Sequence, residues 1–346
     1  MVTIYDIAKK ANVSAMTVSR VINKSDKISV KTREKVEAII KELNYLPNSS
    51  ARSLVSKKTK ILSLMITDIA NPFFTSVARG AEDKAMQMGY QLMLCNSDEN
   101  LEKESKYIDM LISAGTDGVL IAPANDSSKK NIQTLTKYNI PFVLLDRHIK
   151  DLKCDQVLSD NETTTRRLLE HLIKQGHKRI AIINGPLDVA TARERHQAYC
   201  DTLTAHGLEI NSNLIHQSHF LQDSDISKII KKMLDLPENE RPTAIFATSN
   251  FIGVDTVKFL IKYNMKVPED IAVVCYDGLP NYTESELFIT AAEQPSYHFG
   301  YMGMQMLIER IENTAPEMPR KIVLPAEIHI RKSSLHEIDK NNEAPR

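Results

Sequence analysis

Apolar positions along the chain change their period near residue 60. Before it they recur at helical spacing: Ile4, Ile7, Ala8 and Ala11 fall at i, i+3, i+4 and i+7, one face of a short helix. Thr3, with Asp6 three residues on, has the form of an N-cap with an acid where the helix dipole favours it. Asn12 and Val13 interrupt, Ser14 is a second cap, and a helix over about 15–22 buries Val18, Val21 and Ile22. A third, over about 31–43, buries Val36, Ile39, Ile40 and Leu43 and closes a small all-α core. So tight a join between the first two predicts a helix-turn-helix, whose second helix offers its N-terminal residues to the DNA major groove.

From residue 61 the pattern is strand–helix alternation. β-prone runs at 61–66, 90–95, 118–121, 142–145, 179–183, 244–246 and 271–275 are separated by amphipathic stretches. These lie at 74–88, 102–114, 163–175, 194–205, 226–234 and 253–263. That order predicts an α/β body of parallel sheets, with strands enough for two lobes and a cleft between them. Ligands in such sheets bind beyond the carboxyl ends of the strands.

Composition narrows the class. The 346 residues are 42% hydrophobic and 25% charged, ordinary for two or three soluble domains. No apolar run approaches the ~20 residues that span a bilayer, and the start of the chain lacks an export h-region, so a cytoplasmic protein is expected. Cys95, Cys154, Cys200 and Cys275 show no Cys-x-x-Cys spacing, and His171 and His177 stand six apart, off any common metal spacing. No metal or cofactor is expected. Nucleotide loops and nucleophile elbows are absent from the sequence, which argues against an enzyme. The net charge of zero hides a split: residues 1–60 carry +8 and the remainder −8. A basic head on an acidic body predicts that the head meets a polyanion.

Particular strings sharpen this. The head contains Tyr5-Asp6-Ile7-Ala8, Val13-Ser14 and Thr17-Val18-Ser19-Arg20-Val21-Ile22-Asn23, then Leu43-Asn44-Tyr45, Pro47-Asn48 and Ala51-Arg52-Ser53-Leu54. The body adds Asp68, Asn71-Pro72-Phe73-Phe74, Ser159-Asp160-Asn161, Gln175-Gly176-His177 and Gln294-Pro295. Together these resemble the lactose-repressor (LacI/GalR) family of bacterial transcription regulators over residues 1–334. The resemblance implies a helix-turn-helix domain at 1–47, a hinge helix and linker at 48–60, and a two-lobed, type I periplasmic-binding-protein-like effector and dimerisation domain at 61–334. Its first lobe would comprise about 61–160 and 292–322 and its second about 161–291 and 323–334, with a polar tail at 335–346.

Roles follow from the same resemblance. Ala15, Met16 and Arg20 would face base edges, Arg20 being able to pair bidentately with guanine. Tyr5, Ser14, Thr17, Ser19 and Asn23 suit phosphate. Asn48, Ala51 and Leu54 belong to the implied hinge helix, Leu54 as a minor-groove wedge. In the cleft, Asp68, Asn71, Phe73, Asp146, Arg195, Ser249, Asp277 and Gln294 would hold an effector: carboxylates, amides and guanidinium for paired hydroxyls, an aromatic for a sugar ring face. Where family members usually carry Asn-Asp, this chain has Ser249-Asn250, and Tyr276-Asp277-Gly278 lacks a second acid often found there. Fewer carboxylates make a sugar acid or sugar phosphate an option beside a neutral sugar. The expected partners are a pseudopalindromic double-stranded DNA operator and a second copy of the chain, since two recognition helices must fall one duplex turn apart. The alternative, a free sugar-binding or transport protein, is opposed by the basic head.

Overall fold

A computed structural model describes residues 2–22, 27–45, 59–219, 225–278 and 288–335. They fall into two compact units that divide between Thr59 and Lys60.

The head consists of α1 (Ile4–Ala11), α2 (Ala15–Ile22) and α3 (Val30–Glu42). Its first cap forms as expected: Thr3 N donates to Asp6 Oδ2 at 2.8 Å and Asp6 N to Thr3 Oγ1 at 3.4 Å. Asn12 ends α1 in the left-handed region at φ 52°, which a short polar side chain tolerates. Ser14 Oγ then accepts from Thr17 N at 3.1 Å and starts α2. Ile7, Ala8, Ala11, Val18, Val21, Val36 and Ile39 form the core. Ile4, Ile22, Ile40 and Leu43 are only partly covered, because so small a unit has more surface than interior.

The body runs β1 (Ile61–Ile66), α4 (Pro72–Gln87), β2 (Gln91–Asn96), α5 (Leu101–Ala114), β3 (Gly118–Ile121), α6 (Lys129–Lys137), β4 (Phe142–Asp146) and β5 (Asp155–Ser159). It continues with α7 (Asn161–Lys174), β6 (Ile180–Asn184), α8 (Ala190–Ala205), β7 (Ile215–Gln217), α9 (Ile226–Leu234), β8 (Ala244–Ala247), α10 (Asn250–Lys262) and β9 (Ala272–Tyr276). Last come β10 (Thr290–Glu293), α11 (Ser296–Ile311), β11 (Lys321–Leu324) and β12 (Glu327–His329). The seven expected strands appear within a residue of their expected limits. The short β5, β7, β10, β11 and β12, and helices α6 and α11, were not marked by periodicity.

Two six-stranded sheets result, ordered β11-β5-β4-β3-β1-β2 and β12-β10-β9-β8-β6-β7, the same arrangement twice. Every ladder is parallel except β10–β12. The first sheet packs Phe73, Phe74, Val77 and Phe299 of α4 and α11 on one face, and Ile108, Leu111, Ile132 and Leu135 of α5 and α6 on the other. The second lies between Leu168, Leu172, Tyr199 and Leu203 of α7 and α8 and Ile226, Ile230 and Leu260 of α9 and α10. Helices on both faces explain the continuous apolar runs in the central strands.

The chain crosses between sheets after β5, β10 and β11. The last two crossings follow Glu293 and Leu324. The reason is the ladders, which hold Glu293 against Glu327 in the second sheet and Leu324 against Ser159 in the first.

Helices α4 and α11 approach closely through glycines. A Cβ at Gly300 would stand 1.9 Å from Val77 O, and one at Gly80 2.0 Å from Tyr297 O. Gly300→Ala must therefore push two backbones apart, at a cost of about 1–3 kcal/mol or more. Equilibrium urea unfolding should show that loss; an unchanged midpoint would refute the close crossing.

Candidate functional site

On the head, of the side chains expected to meet DNA, Tyr5 lies in α1, Ser14 caps α2, Ala15, Met16 and Thr17 stand in its first turn and Arg20 in its last. Tyr5 is 72% and Met16 64% exposed, large values for apolar groups in a folded unit. Ser14 and Arg20 are also exposed, while Ala15, Thr17 and Ser19 are half-buried. The Ser14 and Thr17 hydroxyls lie 2.9 Å apart. Asn23, Asn48, Ala51 and Leu54, and with them the expected hinge helix, lie outside the described residues.

In the body, residues at and just beyond the carboxyl ends of strands from both sheets line one partly open cavity. Asp68, Asn71, Phe73, Asp146, Arg195, Ser249, Asp277 and Gln294 all line it. Thr67, Phe74, Glu99, Arg147 and Thr191 line it as well and were not singled out from sequence. The usable signal for Glu99 and Arg147 was position: both are charged residues in segments immediately following a strand.

Asp146 ends β4 and Asp277 directly follows β9, the equivalent strand of the second sheet, both in the left-handed region at φ 63° and 55°. Aspartate tolerates that backbone better than most side chains, so it suits a sharp turn at a strand end. Between them stands Arg195, 4% exposed. Its Nε donates to Asn161 Oδ1 at 2.9 Å and its Nη1 to Thr248 O at 2.7 Å, and the guanidinium lies 3.6 Å over the Tyr276 ring. Its Nη2 bonds no protein atom among the described residues, which leaves both of that nitrogen's N–H groups for a ligand. Arg147 is equally buried, with Nη2 2.7 Å from Glu99 Oε1 and Nε 3.7 Å from Asp146 Oδ2.

Burial raises the Asp146 carboxyl, against the pull of Arg147 and Arg195. Burial also raises Asp68. Asp277 is pushed up to about 6 by loss of water, although Arg195 and the Gln294 amide, which donates to both its oxygens at 3.0 Å, favour the ionised form. Gln294 Oε1 and Thr67 Oγ1 are buried in the wall without a hydrogen-bond partner among the described residues. Orphaned polar atoms beside a cavity are groups that a polar ligand can satisfy.

The Ser249-Asn250 departure has a structural cause. Ser249 caps α10, accepting from Ile252 N at 3.4 Å. Asn250 Nδ2 donates at 3.0 Å to Asn71 Oδ1, which also accepts from Phe73 N. A carboxylate at 250 would set acceptor against acceptor, so the amide serves the contact between lobes. On the other side of the cavity Arg193 pairs with Asp126 at 2.8 Å, Asn125 with Asp188 at 2.9 Å and His148 with Glu194 at 3.3 Å.

The two histidines set aside from sequence are hydrogen-bonded into the second lobe, His171 to Ser334 and His177 to Thr243. Among the described residues no cluster of His, Cys, Asp or Glu could hold a metal, and no helix is long and apolar enough to cross a membrane.

Residues 3–48 match the family model for bacterial regulatory proteins of the lacI family, and residues 58–332 that for periplasmic binding proteins and the sugar-binding domain of the LacI family. The chain is 36% identical to the ribose operon repressor of Halalkalibacterium halodurans, over 94% of this chain and 96% of that one. It is 32% identical to the HTH-type transcriptional repressor PurR of Aliivibrio fischeri, over 98% and 100%. Its fold is similar to that of the Lac repressor dimer bound to operator and the anti-inducer ONPF, with a TM-score of 0.82, 26% identity and coverage of 97% and 99%.

The raised Asp277 gives stability a pH signature. A carboxyl whose folded pKa lies above its unfolded value of 3.8 stabilises the protein at low pH and loses that contribution as pH rises towards about 6. Asp277→Asn escapes the loss, so its stability relative to wild type should increase from pH 4 to pH 7, by no more than about 3 kcal/mol for two pKa units. Urea unfolding at the two pH values measures this; a constant or falling difference would contradict it.

Proposed function

The chain belongs to the lacI family of bacterial regulatory proteins, and on that premise we propose that it is a cytoplasmic repressor that binds a pseudopalindromic operator as a homodimer. A small sugar held between its lobes controls that binding. The observation that carries the reading is the convergence of eight effector residues, expected from sequence alone, on one cavity between two sheets.

The recognition surface is the start of α2. Ala15 and Met16 select by fit and by contact with thymine methyls, and Arg20 reads guanine, while Tyr5, Ser14, Thr17, Ser19 and Asn23 hold phosphate. Asn48, Ala51 and Leu54 complete the contact from the hinge. Affinity dominated by phosphate contacts falls steeply with salt.

In the cavity, Asp68, Asp146 and Asp277 accept from sugar hydroxyls, and Arg195 Nη2, Asn71 and Gln294 complete the polar frame. Phe73 covers an apolar ring face, and Ser249 adds a hydroxyl. With Glu99 the walls carry four carboxylates against two guanidiniums, Arg147 and Arg195. That inventory favours a neutral sugar over the sugar acid or sugar phosphate that Ser249-Asn250 brought into consideration. The ribose operon repressor among its relatives makes D-ribose the first neutral sugar to try. Effector bonds to both lobes shift the angle between them, and with it the population able to seat both heads on DNA.

Mobility-shift titration on a library of dyad-symmetric sites, with a panel of neutral pentoses and hexoses, tests the reading. One site should be retained over random duplex, and one sugar should change its affinity. Arg195→Ala should abolish the sugar response while keeping operator binding. Arg20→Ala should lose about 1–3 kcal/mol of discrimination at a single base pair. Absence of any site preference, with or without sugar, would overturn the proposal.

A further inference from the structure

Glu99 reaches the cavity from the loop after β2, at the far edge of the first sheet. Asp98 and Glu99 both hold left-handed backbone, at φ 51° and 56°. Two such residues in succession persist only where the surroundings over-determine them. Asp98 supplies part of that, accepting from Asn96 Nδ2 at 2.6 Å and pairing with Lys103. The result is a Glu99 carboxylate facing Arg147 edge to edge, with Oε1 2.7 Å from Nη2 and Oε2 3.2 Å from Nη1. No other residue among those described bonds the Glu99 side chain.

Arg147 cannot turn away. Its Nη1 also donates to Ala124 O at 2.9 Å and Pro123 O at 3.2 Å, and only 6% of its side chain is exposed. A fixed guanidinium in a cavity wall presents a two-pronged fork that suits a carboxylate or a phosphate. Here that fork is already filled from within the protein.

We propose that Glu99 is the specificity-determining residue that excludes anionic ligands from this site. It occupies the fork of Arg147 and adds a negative charge to the wall, so a neutral polyol is accepted and a sugar phosphate or sugar acid is refused. This rests on the reading of the cavity as a sugar site, and deepens it. The device discriminates by repulsion as well as by attraction: an entering anion must displace an intramolecular bidentate pair and then share the cavity with Asp68, Asp146 and Asp277.

Calorimetry on the full chain tests it with four probes: D-ribose, D-ribose 5-phosphate, D-ribonate and inorganic phosphate. Wild type should bind D-ribose at least tenfold more tightly than any of the anions. In Glu99→Gln the ratio of neutral to anionic affinity should fall at least tenfold, and inorganic phosphate should bind at least tenfold more tightly than to wild type. Adding Arg147→Gln to that variant should remove the gain. Should Glu99→Gln not fold, as judged by thermal unfolding, Glu99→Ala carries the same comparison.

If wild type binds D-ribose and neither Glu99 variant gains affinity for any anion, the assignment to Glu99 fails and the sugar reading stands. If no sugar binds but inorganic phosphate gains on Glu99→Gln in an Arg147-dependent way, Glu99 is the gate and the sugar reading fails.

Discussion

Charge taken out of water between the lobes is the constraint on which the body depends. An ionised carboxylate moved into a protein interior costs several kcal/mol unless it is paired and hydrogen-bonded. The body sets Asp68, Glu99, Asp146 and Asp277 around one cavity. It meets the cost with two guanidiniums that are themselves anchored, Arg147 on the Pro123 and Ala124 carbonyls and Arg195 on Thr248 O and Asn161. Such an arrangement needs both sheets to end their apolar runs at the same seam. The duplicated strand order achieves this, because β4 and β9 occupy equivalent places, with a left-handed aspartate at the end of the first and just after the second.

One turn of α8 then carries three neighbouring charges to three different destinations. Arg193 pairs with Asp126 and Glu194 with His148, both in the first lobe, while Arg195 faces the cavity. Glu194 also accepts from Asn161 Nδ2 at 2.7 Å, and Asn161 in turn holds Arg195. A ligand that engages Arg195 therefore acts on the turn that fastens one lobe to the other, next to the β5–α7 crossing. This gives the proposed effector a direct mechanical route to the lobe angle.

Legibility from sequence followed burial. Strands β1, β3 and β9, buried on both faces, read as mainly apolar runs, with Ser63 inside β1, and lie within a residue of the expected limits. The edge strands β11 (Lys321–Leu324) and β12 (Glu327–His329) contain no fully buried residue, and β12 has Ile328 as its single apolar position. Helix α11 was hidden by Gly300 and Gly303, which lower helix propensity and are there for close packing. The cavity shows the same division. Residues at strand ends with a motif around them, such as Asp68 and Asn71, were found, whereas Glu99 and Arg147 were missed because neither sits in a string that stands out alone. Ser249, expected in the cleft, lines it, while its neighbour Asn250 bonds Asn71 across the lobes.

The sequence by itself determined the division at residue 60, the helical head with its Thr3 and Ser14 caps, the parallel strand–helix body and the family. All of these rest on local periodicity, capping and short strings that are visible within a dozen residues. Only the tertiary structure decided which charges meet. Glu99 and Arg147 are 48 residues apart, and Asn71 and Asn250 are 179 apart. Their pairing depends on sheet order and on how two strand-end seams face each other. The net charge of the cavity, and so the kind of ligand it favours, is a property of that juxtaposition and of no segment of the chain.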